Sequence, residues 1–198
     1  MVEEWSDDPE AVREELIALL RLAYSGELAA ALAYRGHARA LRDPEEKRAV
    51  ETIEREEWHH RELVGEMLST LGARPSRWKE WRAACVGRTL GALCHVAGWF
   101  APMVGAGRLE SRNIREYEAA ARLARAAGRE EWVDCLLTMA EVEWEHEHTF
   151  RAYVLSHPWS RHLAPWPAPP PKATIRSEMR AASPGPLLGD PLSVSGPG

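Results

Sequence analysis

The chain predicts an all-α fold: a four-helix bundle with a short connecting helix and a loose, Pro-rich C-terminal tail. Three observations carry this. Apolar residues recur at alternating steps of three and four along four long segments. Strand-type alternation is evident in none of them. Two segments share the pattern Glu-Trp-x-His, as Glu57-Trp58-His59-His60 and Glu143-Trp144-Glu145-His146. One segment upstream of each stands Glu-x6-Tyr, Glu27 to Tyr34 and Glu110 to Tyr117. The chain reads as one helical hairpin used twice.

The first helix opens at Ser6-Asp7-Asp8-Pro9, an N-cap candidate ahead of a first-turn proline. Its pattern runs to Arg42. Asp43-Pro44 repeats the signal and opens the second helix, which ends near Leu71-Gly72 with Pro75 just beyond. The third runs over about residues 106–127 and stops at Gly128. The fourth starts near Arg129 and ends before Pro158, which cannot continue a helix.

Residues 78–107 differ in character. From 85 to 105 the chain is mostly apolar and small, interrupted by Arg88 and His95. Arg74, Arg77, Trp78, Lys79, Trp81 and Arg82 precede it. The charge and the glycines argue against a membrane span. Two readings stay open: a connecting helix packed across the bundle end, and a peripheral membrane contact through 74–105 with Trp and Arg at headgroup level. Beyond Pro158 the sequence turns to Pro, Ser and Gly, too poor in apolar surface to offset its ordering entropy. The expected division is a bundle over 1–157 and a disordered or loosely draped tail over 158–198.

Composition narrows the function classes. The net charge of −5, with Lys and Arg scattered among Glu, argues against a nucleic-acid surface. Cys85, Cys94 and Cys135 have no metal-ligand spacing, and no Cys-x-x-Cys occurs, so a rubredoxin-type iron centre is absent. Sparse thiols suit a reducing compartment and a role as small core residues. The acidic start lacks an apolar run, which predicts no secretory signal and a cytoplasmic protein, peripheral on the inner face of the membrane if the connector is interfacial.

The apolar stripes single out six polar residues. On the first helix the stripe reads Leu16, Leu20, Ala23, Glu27, Ala30, Tyr34; on the second, Ile53, Glu57, His60, Val64. Glu110 and Tyr117 share the third stripe, and Glu143 and His146 (or Glu147) the fourth. An isolated carboxylate in a bundle core costs several kcal/mol. Four need neutralising, and the stripes hold no basic partners. Two divalent cations would balance four glutamates with both histidines neutral, and mixed carboxylate and imidazole donors suit iron or manganese. A Glu on each of two helices, with Glu-x-x-His on each of two others, is the di-iron or di-manganese pattern of ferritin-like bundles. The expected metal residues are therefore Glu27, Glu57, His60, Glu110, Glu143 and His146. Tyr34 and Tyr117, two turns from Glu27 and Glu110 on the same faces, are candidate hydrogen-bond partners of the ligands.

Neighbouring residues compete less well. Glu56 with His59, and Glu145 with His148, repeat the Glu-x-x-His spacing but lie off the stripes, turned towards solvent. Glu116 and Glu118 lack the Glu-x6-Tyr spacing of Glu110. His37 and His95 stand alone and read as structural. Trp58 and Trp144 are expected to pack between helices.

With these residues placed, the chain resembles the demethoxyubiquinone hydroxylase family of ferritin-like di-iron proteins. Gly26-Glu27-x6-Tyr34-x-Gly36, Glu57-x-x-His60 followed by Glu66-Met67 and Arg74-Pro75, Gly91-Ala92-Leu93, Glu110-x6-Tyr117 and Glu143-x-x-His146 carry the likeness, over about residues 15–155. The resemblance implies two irons, O2 activation and hydroxylation of a quinone ring at a membrane surface. His37 departs from the family's usual Gln, and Ala29-Ala30 from its Gly-Ala. No redox domain is visible, so an external electron donor is expected. Two other functions remain open: a rubrerythrin-like peroxidase or ferroxidase, and a metal-stabilised interaction module.

Overall fold

A computed structural model of the protein describes residues 8–162 and 166–181. Ser6 and Asp7 of the expected helix start, and residues 163–165 and 182–198 of the expected tail, lie outside them. Six α-helices are described: α1 Pro9–Ala40, α2 Pro44–Thr70, α3 Arg77–Leu93, α4 Phe100–Ala126, α5 Glu130–Ser156 and α6 Lys172–Ala181, with a 3-10 turn at Pro158–Arg161 before α6.

The punctuation is local chemistry. Asp8 caps α1 by accepting from the Glu10 amide at 3.1 Å, and Asp43 caps α2 by accepting from Glu45 at 2.8 Å. At the ends of α2 and α4 the chain turns through left-handed Gly72 (φ 68°) and Gly128 (φ 70°). The amides of Ala73 and Arg129 then reach back to the carbonyls of Leu68 and Ala124, closing both helix ends. α4 begins at Phe100, earlier than the expected 106. Pro102 does not stop it, because a first-turn residue has no intrahelical partner for its N–H.

α1 pairs with α2, and α4 with α5. Across the bundle α1 and α4 are antiparallel, since Glu27 meets Tyr117 while Tyr34 meets Glu110. α2 and α5 are antiparallel on the same ground, with Glu57 near His146 and His60 near Glu143. α2 and α4 therefore run in the same direction, and the chain must return along the bundle between them. The 17 residues of α3 make that crossing. α3 lies along α1 and not across the bundle end, a correction to the first reading of the connector. Glycines allow the contact: a Cβ on Gly36 would sit 2.3 Å from Gly91 Cα, and one on Gly87 2.4 Å from the Ala29 carbonyl oxygen.

Two apolar clusters fill the bundle on either side of the central polar layer. One includes Leu16, Leu20, Leu68, Leu123 and Leu136, and the other Val50, Met103, Phe150 and Val154. All three cysteines are free, but none is a core residue as expected: Cys85 is exposed, and Cys94 and Cys135 are half-buried. Among the described residues α1 is the one helix long and apolar enough to cross a bilayer, yet it packs against α2, α3 and α4.

The described part of the tail is more ordered than its composition predicts. Trp166, Ile175 and Met179 are buried against the bundle. Proline-rich backbone leaves its carbonyls free to accept. Trp144 Nε1 donates to the Pro170 carbonyl at 2.9 Å, and Arg151 to those of Trp166 and Pro167 at 3.2 and 3.1 Å. Arg176 of α6 adds bonds to Glu141 at 2.7 Å and Asp134 at 2.6 Å.

Candidate metal centre

The helical period turns Glu27, Glu57, His60, Glu110, Glu143 and His146 inward, and the bundle brings all six together. They form two groups that could hold a metal ion: Glu27, Glu57, His60 and Glu143; and Glu57, Glu110, Glu143 and His146. Within each group the donor atoms lie within 4.8 Å of one another. Glu57 and Glu143 belong to both. Glu57, Glu110 and Glu143 are fully buried.

Hydrogen bonds order the cluster. His60 Nδ1 lies 3.1 Å from Glu143 Oε1. His146 Nδ1 stands 3.4 Å from Glu57 Oε1 and 3.6 Å from Glu143 Oε2. Both tyrosines hydrogen-bond to glutamates of the cluster. Tyr34 donates to Glu110 and Tyr117 to Glu27, so each hydroxyl serves the glutamate of the other hairpin. Asn113 adds a bond to Glu110 Oε2 at 3.1 Å.

Electrostatics follow from burial. Desolvation pushes the carboxyls of Glu27, Glu57 and Glu110 up, Glu57 and Glu110 strongly. Burial also opposes the charge on Glu143, but the imidazoles of His146 and His60 that face it outweigh burial and hold this carboxyl low. Burial likewise opposes charging His60 and His146; Glu143 more than offsets it for both, with Glu56 and Glu57 helping at His146.

The donor set fits metal ions on an observation independent of spacing. Glu27 Oε2, both oxygens of Glu57, Glu143 Oε2 and His146 Nδ1 are buried with no protein hydrogen-bond partner. Buried polar atoms without partners are rare and costly. Here they converge on one place, and a cation would satisfy them together.

Three further residues support the site, and only the inward reach of Glu56 was hidden from the spacing. Glu56 reaches inward to His146 Nε2 at 2.7 Å although its side chain is 44% exposed. Glu147, nearly fully buried, takes Trp166 Nε1–H at 2.6 Å and Arg151 Nε–H at 2.9 Å. Asn113, on the stripe of Glu110 and Tyr117, is the third. The remaining candidates stay outside the cluster. His59 faces the exposed Glu62, His148 stacks on Trp144, Glu116 pairs with Arg112, and His95 is exposed. His37 is buried and stacked on Phe150.

Comparison with known proteins agrees with this architecture. The family model for ubiquinone biosynthesis protein COQ7 matches residues 14–149. The chain is 32% identical over 87 residues to proteins named 3-demethoxyubiquinol 3-hydroxylase from Francisella tularensis subsp. novicida (strain U112) and subsp. tularensis (strain SCHU S4 / Schu 4). Each alignment covers 42% of this chain and 41% of the relative, so the chain spans about two fifths of the length of the curated relatives it matches. No solved structure matches it. The chain belongs to the COQ7 family.

Proposed function

We propose that this member of the COQ7 family is a di-iron oxygenase that hydroxylates the ring of a lipid-soluble quinol. The observation that carries the proposal is the pair of buried Glu/His groups sharing Glu57 and Glu143, in a chain of that family. The net reaction is ring C–H + O2 + two electrons + two protons giving ring C–OH + H2O, and an external reductant supplies the electrons. When bound, two irons supply O2 binding and its reduction.

The chain's own residues do the rest. Glu57 and Glu143 would bridge the two ions, Glu27 and Glu110 would cap one each, and His60 and His146 would complete one each. Tyr117 donates to Glu27 Oε1 and leaves Oε2 free, while Tyr34 and Asn113 together orient Glu110 through its two oxygens. Glu56 accepts from His146 Nε2, fixing the tautomer that presents Nδ1 to the cluster. The apolar layers on either side exclude water, which strengthens every charge interaction between them.

The outer face of α3 supports a substrate delivered from a membrane. Trp78, Trp81, Val86, Leu90 and Leu93 are exposed there, at 48–63%, among Arg77, Lys79, Arg82 and Arg88. A chain resident in the cytoplasm would rest on the bilayer through this face.

The test is anaerobic Fe(II) loading followed by O2 and a short-tailed demethoxyquinol, with iron counted by absorption and Mössbauer spectroscopy and product by mass spectrometry. Two irons per chain and one atom from labelled O2 in the product are expected. Fewer than two irons would falsify the di-iron reading. Rapid H2O2 consumption without quinol turnover would favour a peroxidase instead.

A further inference from the structure

Glu27 borders a cavity on the bundle's side. The cavity, about 30 Å³, lies on the seam between α1 and α4. It has room for a water-sized molecule. Ala23, Gly26 and Ala30 wall it on α1, and Leu109, Asn113, Glu116 and Tyr117 on α4. Glu27 is 4% exposed; its Oε1 takes the Tyr117 hydroxyl, and its Oε2 has no partner. A carboxylate that borders this gap in the helix wall therefore keeps one oxygen without a hydrogen-bond partner.

Gly26 is the outer wall of that gap. It sits in the middle of α1, where glycine weakens a helix relative to alanine. Its φ is not positive, and an added Cβ would meet nothing within 4 Å. Gly36, Gly87 and Gly91 are explained by close backbone contact. Gly26 is explained by neither conformation nor packing, and what its missing side chain leaves is space above Glu27. The flanks of that space are apolar: Leu22, one turn away on α1, is 43% exposed, and Leu109 across the seam is 38% exposed. Asn113 puts a neutral amide into the same opening. An opening with leucine flanks, no side chain at 26, one amide, and a Glu116 carboxylate already paired with Arg112 suits a flat ring bearing hydroxyl or methoxy groups. On the opposite side of the cluster the two histidines and Glu56 occupy the approach.

We propose that the α1–α4 seam at Gly26 is where the substrate's ring reaches the metal centre, and that the absence of a side chain at 26 sets which rings fit. This rests on the quinol-hydroxylase reading above. The ring lies in the opening over Gly26, with the carbon to be hydroxylated directed past Ala30 towards the Glu27 side of the cluster.

The test compares wild type, Gly26→Ala, Gly26→Leu and, as a control on an exposed α1 position away from the seam, Ala18→Leu. Two quantities are measured on each: Co(II) bound per chain by absorption titration, and the affinity of the metal-free protein for a short-tailed demethoxyquinone by equilibrium dialysis. Gly26→Leu should bind cobalt as wild type does and lose quinone affinity about 10-fold or more, with Gly26→Ala between and Ala18→Leu unchanged. Quinone binding by Gly26→Leu within about twofold of wild type overturns the inference and leaves the di-iron reading standing. Loss of cobalt stoichiometry in both Gly26 variants also overturns it, since the glycine would then be structural. A wild type that binds cobalt but no quinone overturns the substrate reading, and this inference with it.

Discussion

Replacing His37 by glutamine should make the bundle less sensitive to acid. The imidazole is 3% exposed, its Nε2 has no hydrogen-bond partner, and it stacks on Phe150 at 6.3 Å. Burial pulls its pKa down to about 4. The unfolded chain takes up this proton at about pH 6.5, whereas the folded chain refuses it until about pH 4. Between those limits the unfolded state binds more protons, so stability falls as pH falls, and the loss is complete below the lower limit. The full gap corresponds to ~3 kcal/mol, most of it expressed by about pH 4.5. That is a large share of the roughly 5–15 kcal/mol that holds an ordinary domain together. Glutamine has no proton to accept, so His37→Gln removes this dependence. The clustered carboxylates titrate alike in both proteins and cancel in the comparison. The assay is urea unfolding of the metal-free proteins by circular dichroism from about pH 7 to about pH 4.5. A constant cost of the substitution displaces the variant's curve without changing its slope. Parallel curves over the whole range would refute the reasoning, because they would mean that His37 charges as easily inside the bundle as outside it.

Other perturbations separate the parts of the site. Glu57→Ala and Glu143→Ala should each abolish binding at both metal positions, while Glu27→Ala should weaken one; cobalt titrations that show the same loss for all three would contradict the sharing of Glu57 and Glu143. Glu56→Ala should lower metal affinity on the His146 side by about 10–100-fold, a typical cost of losing a partner that orients a ligand; equal affinities for variant and wild type would show that His146 holds its orientation without it. Gly36→Ala places a Cβ 2.3 Å from the backbone of Gly91. It should destabilise the fold by ~1–3 kcal/mol as α3 is pushed away from α1, and an unchanged denaturation midpoint would count against that contact.

The inner faces of the four long helices were legible because a helical period fixes which side chains share a face. That is why Glu27, Glu57, His60, Glu110, Glu143 and His146 could be gathered before any coordinates. What period cannot give is the identity of the residue on the facing helix. Tyr34 was placed on the right face but not opposite Glu110, and Glu56 looked outward because its partner, His146, is 90 residues away. The course of α3 depends on Gly36 meeting Gly91, a contact between two residues that carry no periodic signal. The tail misled for a related reason. Average composition weighs the tail's fifteen prolines and serines alike with Trp166, Ile175 and Met179, yet a few anchors and free proline carbonyls suffice to hold a segment whose mean character is polar.

The crossed tyrosines bear on how such a site comes into being. Neither hairpin contains the hydroxyl that its own first glutamate needs, so a half-built bundle presents each carboxylate without its partner. An ion arriving at a lone hairpin would find two or three donors and a glutamate free to swing. Docking of the halves delivers both hydroxyls at once and fixes both carboxylates in the same event. The metal-binding geometry is thus a late product of chain closure, and a lesion at Tyr34 should be felt on the far side of the bundle, at Glu110, before it is felt on its own helix.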